Sequence, residues 1–367
     1  MLETIKAEIR ADLEALTAID GVSGHEQAVV LAMRERLAPL SDKLEIDTFG
    51  NIQALATGQA GGYHLLLAAH SDEIGLMVKS IGRDGFLRFD IVAGAQPGLL
   101  AGRMVRINGS VLGVVGAKSG HLQPLRERSR VPEAQNLYVD VGASTAKDVA
   151  RLGIQIGDPI AFVSPLTELN HPDILTGKAI DDRLGCAVLL AAMRRLRAGT
   201  HSTTITCAIT TQEEVGMRGA AVAAYNARPD CAVVVDTAMS GDTPDVDFER
   251  EVPFGIGAGP VLFLASGSGI GGNLAHPAMR RLLEQAAAKA GVPFQRAAVI
   301  AGRAFSDAGT IHLARGGIPT GAIGLPRRYS HSPVCTCNLN DAADAVLWLQ
   351  ALVSLLDEKP SLSFLEP

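Results

Sequence analysis

The spacing of apolar residues divides the chain into helical and extended segments. Apolar residues recur every three or four positions over residues 4–17 and again from Val29 to Leu37, a period typical of amphipathic helices. Between them, Ser23-Gly24-His25-Glu26 predicts a capping box in which Ser23 is the N-cap of the second helix. A helical pattern also ends the chain, and we expect Asn340 to cap it.

Continuous apolar runs alternate with the helical patterns and are typical of strands buried on both faces of a parallel sheet. These runs occupy residues 63–69, 204–211, 231–235 and 320–324. Three of them are followed closely by ionisable side chains, namely His70, the pair Glu213-Glu214, and Asp236. Because ligands bind at the carboxyl ends of strands in open α/β sheets, we expect these side chains to meet there.

A different pattern fills the middle of the chain. After residue 74, short β-type segments separated by turn residues replace the alternation for about ninety residues. Asn108-Gly109 falls between two of these segments and predicts a tight hairpin. We therefore expect residues 74–168 to form a compact β-domain, inserted into an α/β domain that comprises residues 1–73 and 169–367.

Composition narrows the classes of function. A chain of 367 residues can form two domains with a sizeable core. The net charge of −6 offers no basic surface for nucleic acid. No uninterrupted apolar run approaches membrane-spanning length, and the charged N-terminal segment is not typical of a signal peptide. The odd number of cysteines, five, predicts free thiols and a reducing cytoplasm.

The ionisable residues suggest a metal centre. Asp181-Asp182 and His331 lie on predicted loops and add to the groups at the strand ends. Each group has another explanation when taken alone, since aspartates commonly cap helices and histidines are commonly buried in cores. Together, carboxylates and imidazoles form the ligand set of Zn²⁺ or a related ion, and two bridged ions need about five of them. Because adjacent side chains point in different directions, one carboxylate of Glu213-Glu214 can bind metal while the other transfers a proton.

The motifs around these residues resemble those of a known family. They are His70-Ser71-Asp72-Glu73-Ile74-Gly75, Asp181-Asp182-Arg183, Glu213-Glu214-Val215-Gly216, Val235-Asp236 and Tyr329-Ser330-His331-Ser332. In this order they resemble the motifs of the tetrahedral aminopeptidases, a group of co-catalytic dinuclear-metal peptidases that includes glutamyl aminopeptidase. The resemblance covers nearly the whole chain. It implies a three-layer α/β/α metallopeptidase domain with an inserted, small β-barrel-like domain.

The resemblance also implies a role for each matched residue. His70 and Asp236 would bind one ion, Glu214 and His331 the other, and Asp181 would bridge the two. Glu213 would be the general base, Asp72 would orient the His70 imidazole, and Asp182 would fix the bridging loop through a peptide bond that is often cis in this clan. The ions would be Zn²⁺ in preference to Co²⁺ or Mn²⁺. With a bridging hydroxide they would neutralise the three ligand carboxylates.

Other positions of the resemblance leave alternatives open. Asp307 could position substrate, or it could begin a helix that has Ser306 as its N-cap. His121 could reach a neighbouring subunit's active site or lie at the surface. Cys335 replaces a glutamate that is usual in the family, which puts the support of the His331 loop in doubt. Arg303, Arg327 and Arg328 could favour acidic substrates or could be exposed to solvent.

The resulting hypothesis is a metal-dependent aminopeptidase that releases N-terminal residues from short peptides through a metal-bridging hydroxide and a glutamate base. One alternative is a deacylase on the same scaffold, and a less favoured one is the endoglucanase label that some family members carry. An alternative of another class is a non-catalytic, oligomeric binding protein. By resemblance, the inserted domain would mediate dimerisation, and the dimers would assemble into a tetrahedral dodecamer without membrane or nucleic-acid partners.

Overall fold

The computed structural model describes residues 1–125, 130–267, 271–299 and 306–366. In these residues one mixed sheet contains twelve strands: β1 (Lys43–Ile46), β2 (Ile52–Ala56), β3 (His64–His70), β10 (Thr167–Glu168), β11 (Ile174–Gly177), β12 (Thr204–Thr210), β13 (Cys231–Met239), β14 (Val261–Ser266), β15 (Asn273–Leu274), β16 (Gln295–Val299), β17 (Thr320–Arg328) and β18 (Cys335–Asn338). A closed barrel contains six more: β4 (Gly75–Ile81), β5 (Leu87–Val92), β6 (Met104–Ile107), β7 (Val111–Gly116), β8 (Tyr138–Asp140) and β9 (Pro159–Phe162).

Helices cover both faces of the mixed sheet. The described helices are α1 (Leu2–Thr17), α2 (Gln27–Leu37), α3 (Ala146–Arg151), α4 (Ile180–Ala198), α5 (Arg218–Ala227), α6 (Pro277–Ala290), α7 (Ala308–Ile311) and α8 (Leu339–Leu356). Alternate residues of β3 show the layering: Leu65 and Leu67 join the core formed with α1, α2, α4, α6 and α8, whereas Leu66 and Ala68 join the core formed with α5 and α7. The result is the expected three-layer α/β/α arrangement.

The four central strands of the sheet are parallel. β12, β3, β13 and β17 are neighbours in that order, and each adjacent pair runs in the same direction. Parallel strands buried on both faces are typically continuous apolar runs, which explains why the sequence showed no alternation here. Their carboxyl ends therefore open on one edge of the sheet, and this edge carries the predicted ligands.

The barrel leaves the α/β domain after β3 and returns to it before β10. β4 begins at Gly75 and β9 ends at Phe162, so the barrel strands fall inside the segment expected to be inserted. Its core is separate from the two cores around the mixed sheet and contains Leu76, Val105 and Ile160. The hairpin predicted at Asn108-Gly109 is confirmed, since β6 and β7 pair antiparallel on either side of it.

Three predictions of helix capping are wrong. α2 begins at Gln27 with Glu26 at its N-cap position and without a side-chain cap, and the hydroxyl of Ser23 donates a hydrogen bond to Asp72. α7 has Asp307 rather than Ser306 at its N-cap position. α8 is capped two residues earlier than predicted, by Asn338, whose Oδ1 accepts from the backbone N–H of Asn340.

The last helix is long and apolar enough to span a membrane by length and composition. In the structure, however, most of its side chains are buried. Trp348, Leu349 and Leu352 pack into the largest core, against α4 and α6. A core helix of a globular α/β domain explains its composition.

Candidate metal centre

The predicted ligands converge at the carboxyl edge of the parallel strands. His70 is the last residue of β3, Asp236 lies within β13, and Glu214 follows β12. Asp181 lies at the start of α4, where its peptide bond to Asp182 is cis, as the resemblance implied. His331 lies on the loop between β17 and β18.

These five residues form two groups of three that share Asp181. The first is His70, Asp181 and Asp236, and the second is Asp181, Glu214 and His331; within each group the candidate ligand atoms lie within 4.8 Å of one another. His70 Nε2 is 3.5 Å from Asp181 Oδ1 and 3.7 Å from Asp236 Oδ1. His331 Nε2 is 4.0 Å from Asp181 Oδ2 and 3.4 Å from Glu214 Oε2. Each oxygen of Asp181 therefore faces a different imidazole.

Asp72 connects His70 with the two glutamates. His70 Nδ1 lies 3.2 Å from the backbone oxygen of Asp72 and 3.4 Å from its Oδ1. The same carboxylate accepts the backbone N–H groups of Glu213 at 2.9 Å and Glu214 at 3.1 Å, and the hydroxyl of Ser23 at 2.6 Å. Burial raises the pKa of Asp72, but the hydrogen bond and charge of His70 outweigh it, so that the pKa lies below its usual value. Asp72 is thus a buried carboxylate that positions three functional residues.

Asp181 is held by two donors that the sequence did not reveal as partners. The hydroxyl of Thr237 donates to Oδ1 at 2.6 Å, and Nη2 of Arg327 donates to Oδ2. Arg327 Nε in turn donates to the Thr237 hydroxyl. Burial raises the pKa of Asp181, but the charge of Arg327 and the hydrogen bond from His70 lower it far below its usual value. The shared carboxylate therefore remains ionised.

Glu213 is the carboxylate outside both groups. Its Oε2 lies 4.0 Å from His70 Nε2, and the side chain lines the cavity that the two groups surround. Burial raises the pKa of Glu213 well above its usual value, with a further contribution from the charge of Asp236. A carboxylate with a raised pKa next to a metal-ligand set is suited to accept and return a proton.

The donor set fits divalent ions. The cavity has a volume of about 60 Å³, and the described residues that line it include four carboxylates, one arginine (Arg327) and the two histidines His70 and His331. Oε1 of Glu214 is buried without a hydrogen-bond partner. His70 Nδ1 lies 3.2 Å from the backbone oxygen of Asp72, which can accept its proton, so that Nε2 would be free to bind a metal ion. Burial of so many negative charges without further cations is unfavourable, and two divalent ions would compensate them.

The remaining predicted residues differ in their relation to the centre. Asp182 is buried, accepts the backbone N–H of Gly185 at 3.0 Å and faces the backbone N–H of His70 at 3.4 Å, so it supports the bridging loop. Asp307 accepts the hydroxyl of Thr210, and burial raises its pKa to about 7. His121 is exposed on the barrel domain and does not line the cavity.

The barrel domain contacts the centre through Gly94. Its backbone hydrogen-bonds to the imidazole of His331 and thereby raises the pKa of that group, although burial, the larger effect, keeps the pKa below its usual value. Gly94 has a φ of +81°, and a Cβ atom there would lie 3.2 Å from His331 Nδ1. The position therefore requires glycine both for its backbone conformation and for its closeness to the ligand.

The residues of uncertain role now have defined partners. Cys335 Sγ lies 3.4 Å from the backbone oxygen of Tyr329, so the residue at the family's glutamate position still contacts the His331 loop. Arg328 pairs with Asp242 at 2.5 Å, away from the ligands. Arg327 is buried rather than exposed. Arg303 lies outside the described residues.

Comparison with known proteins tests the resemblance drawn from the motifs. The family described as M42 glutamyl aminopeptidase matches residues 50–347. A putative aminopeptidase of Acetivibrio thermocellus is 37% identical over 334 residues, covering 91% of this chain and 95% of that protein. Aminopeptidase APDkam598 of the archaeon Desulfurococcus kamchatkensis has a TM-score of 0.89 at 34% identity, with 96% of this chain and 95% of that chain covered.

A third relative is the TET1 peptidase of Pyrococcus horikoshii, which is described as able to assemble into a tetrahedron or a large octahedral shell. It has a TM-score of 0.81 at 29% identity, and the match covers 94% of this chain and 99% of that one. The resemblance drawn from the motifs is confirmed. The chain belongs to the M42 glutamyl aminopeptidase family.

Proposed function

We propose that this chain is a metal-dependent aminopeptidase that releases N-terminal residues from short peptides, with Glu213 as general base. The observation that carries the proposal is the pair of ligand groups sharing Asp181, with Glu213 beside them and bound to neither. Membership of an aminopeptidase family supports the reaction class. Zn²⁺ suits a set of carboxylates and imidazoles, and Co²⁺ or Mn²⁺ can occupy similar sites.

When bound, two divalent ions would lower the pKa of a water molecule held between them and polarise the scissile carbonyl group. The chain's own residues do the rest. Glu213 accepts the proton of the attacking water and returns it to the leaving amine. The Asp72 carboxylate accepts the backbone N–H of Glu213 at 2.9 Å and thereby fixes the position of the base. Thr237 donates to one oxygen of the shared carboxylate and Arg327 to the other, which fixes its orientation.

The charges of the cavity residues support a metal-loaded site with no net charge. The carboxylates that line the cavity are Asp181, Glu213, Glu214 and Asp236, and the guanidinium of Arg327 compensates one of them. Two divalent ions with one hydroxide would then bring the total to zero with Glu213 ionised. A desolvated site favours this balance, and it leaves Glu213 able to accept a proton.

The first test separates the base from the ligands. Glu213→Gln keeps the shape of the side chain and removes its basicity, so kcat should fall by about 10²–10⁴ while metal content stays that of the native protein. Glu249→Gln, at an exposed position, is the matched control and should retain native activity. Native turnover by Glu213→Gln would refute the assignment of the base.

The second test concerns the metal. Chelation should abolish hydrolysis of aminoacyl-p-nitroanilides, and Zn²⁺, Co²⁺ or Mn²⁺ should restore it. Activity indifferent to chelator would contradict the proposal. A protein that hydrolyses N-acyl amino acids but no peptide would be the deacylase alternative, and one that binds no metal and hydrolyses nothing would be the binding-protein alternative.

We further propose that the barrel domain mediates self-association. It exposes large apolar side chains, with Leu122 at 72%, Leu125 at 81% and Val131 at 71% of their maximal exposure, and an interface between subunits would remove such side chains from water. Size-exclusion chromatography with light scattering should give about 460 kDa, twelve times the chain mass of 38.3 kDa, if the assembly is a dodecamer. A monomer would reject the proposal. A cytoplasmic location stays a prediction, supported by five free cysteines.

A further inference from the structure

Arg327 places a fixed positive charge against the shared carboxylate of the metal centre. The side chain is buried, and Nη2 contacts Asp181 Oδ2 while Nε contacts the hydroxyl of Thr237. Burial lowers the pKa of Arg327, but the charge of Asp181 more than compensates and leaves the pKa above its usual value. The guanidinium therefore stays charged at every pH at which the protein is folded.

This charge does not act equally on the two ligand groups. Asp181 Oδ2, the oxygen that receives the guanidinium, is also the oxygen that faces His331 at 4.0 Å. Oδ1 faces His70 at 3.5 Å and receives only the neutral hydroxyl of Thr237. A cation in the His331 group must therefore share its bridging oxygen with another cation, whereas a cation in the His70 group shares its oxygen with a neutral donor.

The two ligand groups also differ in solvent exposure, and this difference again favours binding in the His70 group. The His70 side chain is 2% exposed and Asp236 lies inside β13, so the first group is built from buried, strand-borne residues. The His331 side chain is 37% exposed and comes from a loop, where its φ is +53°. Electrostatic attraction to carboxylates is weaker where solvent screens it, and a loop ligand costs more entropy to fix.

We infer that the two ion positions differ in affinity and that Arg327 sets the difference. The ion held by His70, Asp181 and Asp236 binds first and tightly. The ion held by Asp181, Glu214 and His331 binds second, weakly and exchangeably, because the Arg327 guanidinium repels it. The inference rests on the dinuclear centre of the proposed function. It makes Arg327 a positioning residue that acts through Asp181, and it makes the fully loaded state depend on the free metal concentration.

The adjacent residue provides a matched control. Arg328 follows Arg327 on β17, yet its guanidinium pairs with Asp242 and contacts no candidate ligand. Arg328→Gln removes one positive charge from the same strand at a comparable position. An effect seen in Arg327→Gln but absent from Arg328→Gln therefore reports on the contact with Asp181, rather than on net charge.

The experiment is a titration of the metal-depleted full chain with Co²⁺ alone, followed by calorimetry and by the visible absorption of bound Co²⁺. The native protein should bind two ions whose Kd values differ by at least about tenfold. Arg327→Gln should tighten the second Kd by about 10–100-fold and leave the first within about threefold, while Arg328→Gln should match the native protein. Arg327→Lys retains the charge and should keep the two Kd values well separated. Should Arg327→Gln fail to fold, Arg327→Met, which keeps an apolar stem, takes its place.

Each result decides between the inference and its alternatives. Equal Kd values in the native protein would overturn it, as would a second Kd that Arg327→Gln leaves unchanged or weakens, since Arg327 would then merely orient Asp181. Two ions bound with different Kd values by a protein that hydrolyses no peptide would refute the proposed function but not the inference. Two ions bound with equal Kd values by an active peptidase would refute the inference but not the proposed function. A protein that binds no Co²⁺ would refute both.

Discussion

Replacing Asp72 by asparagine tests whether one buried carboxylate organises the whole centre. The carboxylate accepts the backbone N–H groups of Glu213 and Glu214 on different oxygens and also lies beside His70 Nδ1. Asparagine has nearly the same shape, but it has one acceptor oxygen and no charge. Asp72→Asn therefore cannot accept from both glutamate N–H groups, whichever way its amide is oriented.

The expected cost follows from the bonds that are lost. One buried backbone N–H loses its charged acceptor, which costs about 1–3 kcal/mol of folding free energy. The His70 imidazole loses a negative neighbour, which typically weakens metal binding by about 10–100-fold. The turn that carries Glu213 loses its anchor, and a misplaced catalytic group costs about 10²-fold in rate for a displacement near 1 Å.

Three measurements check these values. Urea unfolding of the metal-depleted protein gives the stability, Co²⁺ titration gives the affinity, and hydrolysis of leucine-p-nitroanilide gives kcat. The matched control is Ser23→Ala, which removes the 2.6 Å bond from the Ser23 hydroxyl but leaves the Asp72 charge and both backbone bonds. We expect this control to lose about 1 kcal/mol of stability and to keep its metal affinity and kcat.

The reasoning fails if the two variants behave alike. Equal Co²⁺ affinity and kcat in Asp72→Asn and Ser23→Ala would show that the charge and double acceptance of Asp72 do not position the glutamates. A loss of stability in Asp72→Asn with native kcat would leave Asp72 a purely structural residue. Either outcome would also remove the reason for assigning a fixed position to Glu213.

Three further predictions concern other parts of the chain. Gly94→Ala should weaken the binding of the second Co²⁺ ion by about tenfold, because its Cβ would lie 3.2 Å from His331 Nδ1. Gly102 has the same φ of +81° and nothing within 4 Å, so Gly102→Ala is the control that should bind Co²⁺ normally. Burial raises the pKa of Cys335 to about 11, so its thiol should resist iodoacetamide at pH 8 until the protein is denatured, as mass spectrometry can show. Trp348→Phe removes a 2.7 Å hydrogen bond to a backbone oxygen of α6 and should cost about 1–3 kcal/mol in urea unfolding followed by circular dichroism.

The sequence predicted the ligands because their positions depend on local features. His70, Asp236 and the Glu213-Glu214 pair lie at or just beyond the ends of apolar runs, and parallel strands bring such ends to one edge of the sheet. Asp181, at the irregular start of α4, and His331, on a loop, follow no such pattern, and their roles came from the resemblance. The structure brings the five candidate ligands together in two groups of three that share Asp181.

The supports of the ligands could not be predicted in the same way. Ser23 has the sequence pattern of a helix cap, but in the fold its hydroxyl donates to the buried carboxylate of Asp72. A hydrogen bond to a charged acceptor is stronger than one between neutral groups. Arg327 reaches Asp181 only because β17 lies beside β13, where its guanidinium can bond to Thr237. Strand order and register are tertiary properties, and the arginine itself looks the same in sequence whether it is buried or exposed.

The short link between β3 and β4 connects the candidate metal centre to the barrel. Arg183 donates to the backbone oxygen of Ser71 at 2.7 Å, Asp72 holds the glutamates, and Lys178 pairs with Glu73 at 2.7 Å. The chain therefore enters the barrel through three consecutive residues that are each held by hydrogen bonds or an ion pair to the α/β domain. Gly94 provides a second contact between the barrel domain and the candidate centre, at His331.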